Sequence, residues 1–187
     1  MKKARIVFFG TPEFASTALL ALAADARTDV AAVVTAPDKP AGRGLQLKAS
    51  HVGQTAHDLG IPVMKPEKLR DPSFLADLAQ FEADLFVIVA FRMLPEAIWA
   101  MPPKGTFNVH GSLLPDYRGA APIQWSIANG DTATGVTTFL LNDRIDEGEI
   151  LGQEVLEIGP NEALASVYNR LMHAGAALAV ATIHGLM

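Results

Sequence analysis

The sequence predicts an α/β fold: a doubly wound, mostly parallel sheet with helices on both faces. Three observations carry that prediction. Short, continuous apolar runs recur along the chain, the mark of strands buried on both faces. Between them lie segments with apolar residues at helical spacing. Glycine, proline, aspartate or asparagine punctuates most junctions, so the elements are joined by turns rather than linkers. At 187 residues, 50% of them hydrophobic and 19% charged, the chain is the size of one globular domain. It carries no internal repeat and no low-complexity tract.

Residues 5–10 form the first buried strand. Gly10-Thr11-Pro12-Glu13 then turns into a helix, with Thr11 as its N-cap and Pro12 in the tolerated first position. Phe14, Leu19, Leu20 and Leu22 mark that helix as far as about Ala26, and residues 30–36 form the second strand. Strand, helix and strand with short connections make a right-handed βαβ unit, which gives the sheet a Rossmann-like start. The G-x-G-x-x-G phosphate fingerprint does not follow the first strand, which argues against a dinucleotide cofactor.

Residues 37–48 carry two prolines, two glycines and the cations Lys39, Arg43 and Lys48. They are expected as a long exposed loop. Such a loop is either a solvated connection or a basic finger for an anionic partner, with Arg43 at its tip between two glycines. Residues 51–59 read as a helix closed by Gly60, residues 61–63 as a short strand, and Asp71-Pro72-Ser73 opens a helix through Leu75, Leu78 and Phe81.

Residues 84–90 are the most apolar strand and belong at the sheet centre. They run into Phe91, Arg92, Met93 and Leu94 before a helix holding Ile98 and Trp99. Ligands of open parallel sheets sit outside the carboxyl ends of strands, so these four residues are a candidate ligand wall. The alternative is an ordinary strand-to-helix turn.

Residues 105–111 are the next strand. Residues 116–122 form a loop, and a helix through Ile123, Trp125 and Ile127 ends at Asn129-Gly130. A strand over 135–141 leads into the Asn142-Asp143-Arg144-Ile145-Asp146-Glu147-Gly148 loop. Residues 150–158 alternate in polarity, as at a sheet edge. Gly159-Pro160-Asn161 caps a final helix through Leu164, Val167, Leu171 and Leu178.

Asn108 and His110 lie two apart on a strand and therefore share a face. An amide donates to an oxygen, and an imidazole passes a proton near neutral pH. If the strands ending at His110 and Leu141 are neighbours, Asp146 joins them, orienting the imidazole and favouring its protonated form. Taken singly, an Asn or His at a strand end is more often a hydrogen-bonding turn residue than a catalyst. Ser112 lacks the G-x-S-x-G elbow, and no second histidine stands at metal-ligand spacing from His110. The expectation is therefore acyl-type transfer to an external nucleophile, with no covalent enzyme intermediate and no metal.

The formal net charge is -5 and the pI near 5.5, so any nucleic-acid contact is local rather than spread over the surface. There are no cysteines, which removes disulfides, thiolate metal sites and cysteine nucleophiles. The apolar run after the N-terminal lysines breaks at Gly10, short of a signal peptide core of about 7–15 residues. No stretch approaches the roughly 20 apolar residues that span a bilayer. The chain reads as a cytoplasmic monomer.

Three segments carry a resemblance. They are Asn108-x-His110 followed by Ser112-Leu113-Leu114-Pro115, then Tyr117-Arg118-Gly119-Ala120-Ala121-Pro122-Ile123-Gln124, and Gly135-Val136-Thr137 with the later Asp146-x-Gly148. Together they resemble the signature of the folate-dependent formyltransferases. Gly10-Thr11-Pro12-Glu13-Phe14-Ala15 and Pro37-Asp38-Lys39-Pro40-Ala41-Gly42-Arg43-Gly44 place the resemblance among members acting on methionyl-tRNA. It covers essentially the whole chain.

The resemblance implies formyl transfer from 10-formyltetrahydrofolate to the α-amino group of methionine on initiator tRNA. Asn108 and His110 would stabilise the oxyanion, and Asp146 would assist His110 in moving protons. Ser112, Leu113, Leu114 and Pro115 would lie against the folate. Backbone at Phe91, Arg92, Met93 and Leu94, and at Leu141, Asn142, Asp143, Arg144 and Ile145, would hold the pterin. Lys39, Arg43 and Lys48 would meet the acceptor arm of the tRNA.

Members of that family are usually longer, with a C-terminal barrel-like domain that grips tRNA. Residues 1–187 are expected to be the catalytic domain alone. A second departure is Ala90-Phe91-Arg92, where many relatives carry a smaller Tyr-Gly pair; it alters the expected shape of the pterin wall. Other amines as acceptor (glycinamide ribonucleotide or an amino sugar), water as acceptor, or a folate- or tRNA-binding module without activity are the competing readings.

Overall fold

A computed structural model describes residues 3–41 and 46–187. In chain order the elements are β1 (Ala4–Gly10), α1 (Glu13–Ala24), β2 (Thr28–Val34), β3 (Lys39–Ala41), β4 (Gln46–Lys48), α2 (His51–Asp58) and β5 (Val63–Met64). They continue with α3 (Pro72–Ala79), β6 (Leu85–Val89), α4 (Glu96–Trp99), β7 (Thr106–His110), α5 (Pro122–Ala128), β8 (Ala133–Leu140), β9 (Ile150–Glu157) and α6 (Leu164–Leu186). Seven strands form one sheet in the order β5-β2-β1-β6-β7-β8-β9. The pairings from β5 to β7 are parallel, and β8 and β9 are added antiparallel at one edge. This is the doubly wound, mostly parallel Rossmann-like sheet that the apolar runs predict.

β6 sits fourth of the seven strands, and each of its residues Leu85, Phe86, Val87, Ile88 and Val89 is buried. A strand covered on both faces has no need of alternation, which is why its run is unbroken. Alternation reappears in how the core divides. Ile6 and Phe8 of β1 join one cluster with Leu19 and Leu22 of α1, Val52 of α2 and Leu171 of α6. Val7 and Phe9 join the other, with Phe74 and Leu78 of α3 and Ile98 of α4. Helices thus cover both faces. Among the described residues, no helix is long and apolar enough to cross a membrane.

Three local expectations are corrected. The first helix is capped at Pro12, whose carbonyl accepts the Ala15 and Ser16 amides, and not at Thr11. The last begins after Ala163 rather than at Asn161. There the Glu162 carboxylate takes the Gly159 N–H and the Ser166 hydroxyl and pairs with Arg170, which ties the preceding turn to the helix, while no side chain caps a helix N–H. The expected loop over 37–48 contains a two-stranded antiparallel ribbon, with Lys39 opposite Lys48 and Pro40 opposite Leu47. Its glycine and proline content obscured two strands of three residues each. Arg43, the expected tip, lies outside the described residues.

Candidate active site

Asn108 and His110 leave β7 on the same face, while Val109 between them packs into the opposite core cluster with Phe107. In the sheet, Asn108 stands between Ile88 and Phe139, and His110 lies beside Thr137. Both side chains border a cavity of about 1010 Å³ beyond the carboxyl ends of β1, β6 and β7. Ile88, Phe91, Leu94, Trp99, Phe139 and Leu141 supply much of its apolar lining. Oδ1 of Asn108 is buried without a hydrogen-bond partner. Such a group costs about 1–3 kcal/mol, and only a ligand or water in the cavity can satisfy it.

His110 is 6% exposed. Its Nε2 lies 2.9 Å from the Tyr117 carbonyl, which can only accept, so Nε2 carries a proton. Nδ1 is therefore the nitrogen free to gain or lose one, and it faces Oδ2 of Asp146 at 3.7 Å. That gap exceeds the roughly 3 Å of a hydrogen bond, and catalytic contacts commonly tighten when substrate binds.

Asp146 reaches this point by an unexpected route. β8 runs antiparallel to β7, so its carboxyl end at Leu140 lies beside Phe107, about 10 Å back along the sheet from His110. Adjacent strand ends therefore do not bring the carboxylate to the imidazole. Instead the 141–148 loop folds back over the sheet. Asn142 stitches it by accepting the Arg144 amide at 2.9 Å, and Gly148 lets it pass hard against the Leu140 carbonyl. Strand direction is invisible to periodicity, and for that reason the route could not be read from the sequence.

The 116–121 loop closes the arrangement. Tyr117 supplies the carbonyl on His110, the Gly119 amide donates to Oδ2 of Asp146 at 2.7 Å, and Arg118 Nε donates to the Asp146 carbonyl at 3.1 Å. The Tyr117 hydroxyl is tied to Asp131 at 2.6 Å, and that carboxylate pushes the phenol above its ordinary value. Of five described non-glycine residues with positive φ, four surround the site: Ala90, Tyr117, Ala121 and Asp146. Strain of this kind, about 1–3 kcal/mol each, gathers where geometry is functionally constrained.

Residues 4–183 match the family described as formyl transferase. The chain belongs to that family. Among curated relatives, the methionyl-tRNA formyltransferase of Bacteroides fragilis is 49% identical over 183 residues, 98% of this chain and 56% of that protein. That of Parabacteroides distasonis is 51% identical over 184 residues, again 98% of this chain and 56% of the relative. The chain thus spans about half the length of the curated relatives it matches. Among solved structures, glycinamide ribonucleotide transformylase 1 from Geobacillus kaustophilus superposes with a TM-score of 0.82 at 22% identity, covering 100% of this chain and 99% of that one. Phosphoribosylglycinamide formyltransferase from Bacillus halodurans gives 0.81 at 22% identity, covering 97% and 94%. These last two likenesses speak to the fold.

Within this formyl transferase fold the expected ligand residues divide. Phe91, Arg92, Met93, Leu94, Leu141, Asn142, Asp143, Arg144 and Ile145 all border the cavity with Asn108, His110 and Asp146. Ser112, Leu113, Leu114 and Pro115 do not. The Ser112 hydroxyl is buried and donates to the Asp116 carbonyl, Leu113 covers Gly135, and the Leu114 amide donates to Thr137 Oγ1. That turn braces the site from behind, because its polar groups are already spent on the sheet. Lys39 and Lys48 are exposed on the ribbon and do not border the cavity.

Sequence reasoning missed Tyr117, Arg118 and Gly119 as site-builders, although they stand directly after the Asn-His turn. It also missed Phe14 and Tyr168, which border the cavity from α1 and α6 with ring centroids 5.5 Å apart. Nothing in the helical spacing of Tyr168 sets it apart from a core residue. The described lining contains no Ser, Thr, Cys or Lys.

Proposed function

We propose that this protein transfers a formyl group from 10-formyltetrahydrofolate to the α-amino group of methionyl initiator tRNA, and that residues 1–187 are its catalytic domain. The observation that carries this reading is identity near one half over 98% of the chain to proteins named for that reaction. The site chemistry agrees with it. The apolar slot suits a flat pterin, whose polar edge would meet backbone at Phe91 to Leu94 and at Leu141 to Ile145. The unpartnered Oδ1 of Asn108 can accept from an attacking amine, and the Nδ2 of the same amide can donate to a small carbonyl. When bound, the folate supplies the formyl carbon on a nitrogen leaving group.

Asn108 directs its amide at the formyl oxygen and stabilises the charge that builds there as the amine attacks. His110 joins it, held by the Tyr117 carbonyl with Nδ1 free. As the new C–N bond forms and the old one breaks, one proton leaves the amine and one reaches the departing folate nitrogen. His110 Nδ1 and Asp146 carry that proton. Lys39, Arg43 and Lys48 would supply the positive charges that meet the acceptor arm.

The test offers the purified protein 10-formyltetrahydrofolate with methionyl initiator tRNA, glycinamide ribonucleotide or water in parallel. Formylmethionyl-tRNA is the expected product. Formylation of the ribonucleotide instead, or hydrolysis alone, overturns the reading.

A further inference from the structure

We infer that Arg118 is a positioning residue that holds Asp146 at working distance from His110, an inference that rests on the formyl-transfer reading above. Three consecutive residues grip both members of the pair. Tyr117 binds His110 through its carbonyl at 2.9 Å, and Gly119 binds the Asp146 carboxylate through its amide at 2.7 Å. Arg118 stands between them and reaches across to the 141–148 loop. Its Nε donates to the Asp146 carbonyl at 3.1 Å, and its Nη1 to Glu147 Oε1 at 3.0 Å. One planar guanidinium thus fixes two consecutive residues of the facing loop, a grip a lysine cannot reproduce because it has a single nitrogen. The root of the clamp is also held: Asp131 and Asn129 fix the Tyr117 hydroxyl at 2.6 and 3.1 Å.

Asp146 needs such a hold. Its φ is 52°, a left-handed conformation that an aspartate adopts uphill. Release of the Arg118 bonds lets this residue relax toward ordinary backbone, and the carboxylate turns away from Nδ1. The same ion pair is a poor stabiliser of the whole fold, since Arg118 and Glu147 side chains are 43% and 35% exposed. Arg118 does not border the cavity, so it touches neither the folate slot nor the reacting atoms. The signature of its loss is therefore a slower chemical step in a protein that still folds and binds its donor.

The experiment measures kcat, KM for 10-formyltetrahydrofolate and thermal melting for wild type, Arg118→Ala and Arg118→Lys. In Arg118→Ala, kcat falls about 10- to 100-fold, as for a misplacement near 1 Å. The donor KM stays within about twofold and the melting temperature holds. Arg118→Lys lies between. Unchanged kcat in Arg118→Ala, or a loss seen only as a raised donor KM, overturns the inference. If the alanine variant does not fold, wild-type kcat in Arg118→Lys overturns it. An inactive wild type overturns the functional reading, and this inference with it; an active wild type indifferent to Arg118 sinks this inference alone.

Discussion

A single methyl group added at Gly148 sets up the sharpest steric conflict among the described glycines. Its Cβ would lie 1.5 Å from the Leu140 carbonyl oxygen and 2.8 Å from the Leu140 carbonyl carbon, with Phe139 at 3.2 Å. Such carbons essentially never approach other heavy atoms within 3.0 Å, so the loop must lift by about 1.5 Å at that point. The obstacle is backbone and cannot rotate aside. Leu140 is itself pinned, its amide donating to the Glu149 carbonyl at 2.9 Å. The shift therefore passes to the 141–148 loop, where Asp146 is two residues upstream. A carboxylate already 3.7 Å from His110 Nδ1 then stands too far off to share a proton. Misplacement on the order of 1 Å costs about 100-fold in rate. Overpacking against fixed backbone costs about 3 kcal/mol, which lowers the melting temperature by roughly 6–12 °C for a chain of this size. Gly148→Ala is thus expected to lose formyl transfer in an initial-rate assay and to melt early. Wild-type kcat together with wild-type melting would refute the placement of this loop and the role given to it.

Asn108→Ala should slow transfer by about 100- to 1000-fold while leaving the melting temperature unchanged or raised, because the amide oxygen it removes has no partner to lose; a clear drop in melting temperature would mean the amide is structurally bonded. Glu162 is held at about 2 against an ordinary 4.5, first by the Ser166 hydroxyl, then by the Gly159 amide and Arg170. Its lowered value means that its contribution is complete above 4.5 and is lost as pH falls toward about 2. Glu162→Gln should accordingly flatten acid denaturation across that window, and an unchanged acid titration of stability would mean that these contacts do not stabilise the fold. Arg43→Ala should raise KM for methionyl-tRNA more than KM for the folate; equal loss on both would make the basic segment structural.

The parts of this fold that were legible are those in which side-chain pattern decides the outcome. The unbroken run of β6 could only be a strand buried on both faces, and its central place followed. The shared face of Asn108 and His110 came from a period of two residues. What stayed hidden depends on groups that residue type does not reveal. The carbonyl that fixes the His110 tautomer is backbone, and any residue at 117 carries one. The antiparallel insertion of β8 leaves the same apolar pattern as a parallel one, so the path of Asp146 over the sheet had no signature. Gly148 was visible as a glycine but not as the point where the loop clears Leu140. The Ser112 to Pro115 turn was expected against the folate on the family resemblance, whereas its polar groups face Asp116 and Thr137.

These hidden features form one design. β7 holds Asn108 and His110 with the rigidity of a strand hydrogen-bonded on both sides. The third group is carried by a loop, and that loop is stapled to a second loop at two points, through Arg118 and Gly119. Under the proposed reaction the place of the carboxylate is therefore set by that staple and not by a strand ladder. Loss of either hold frees a residue whose φ of 52° is uphill, and Oδ2 then leaves the 3.7 Å it keeps from Nδ1.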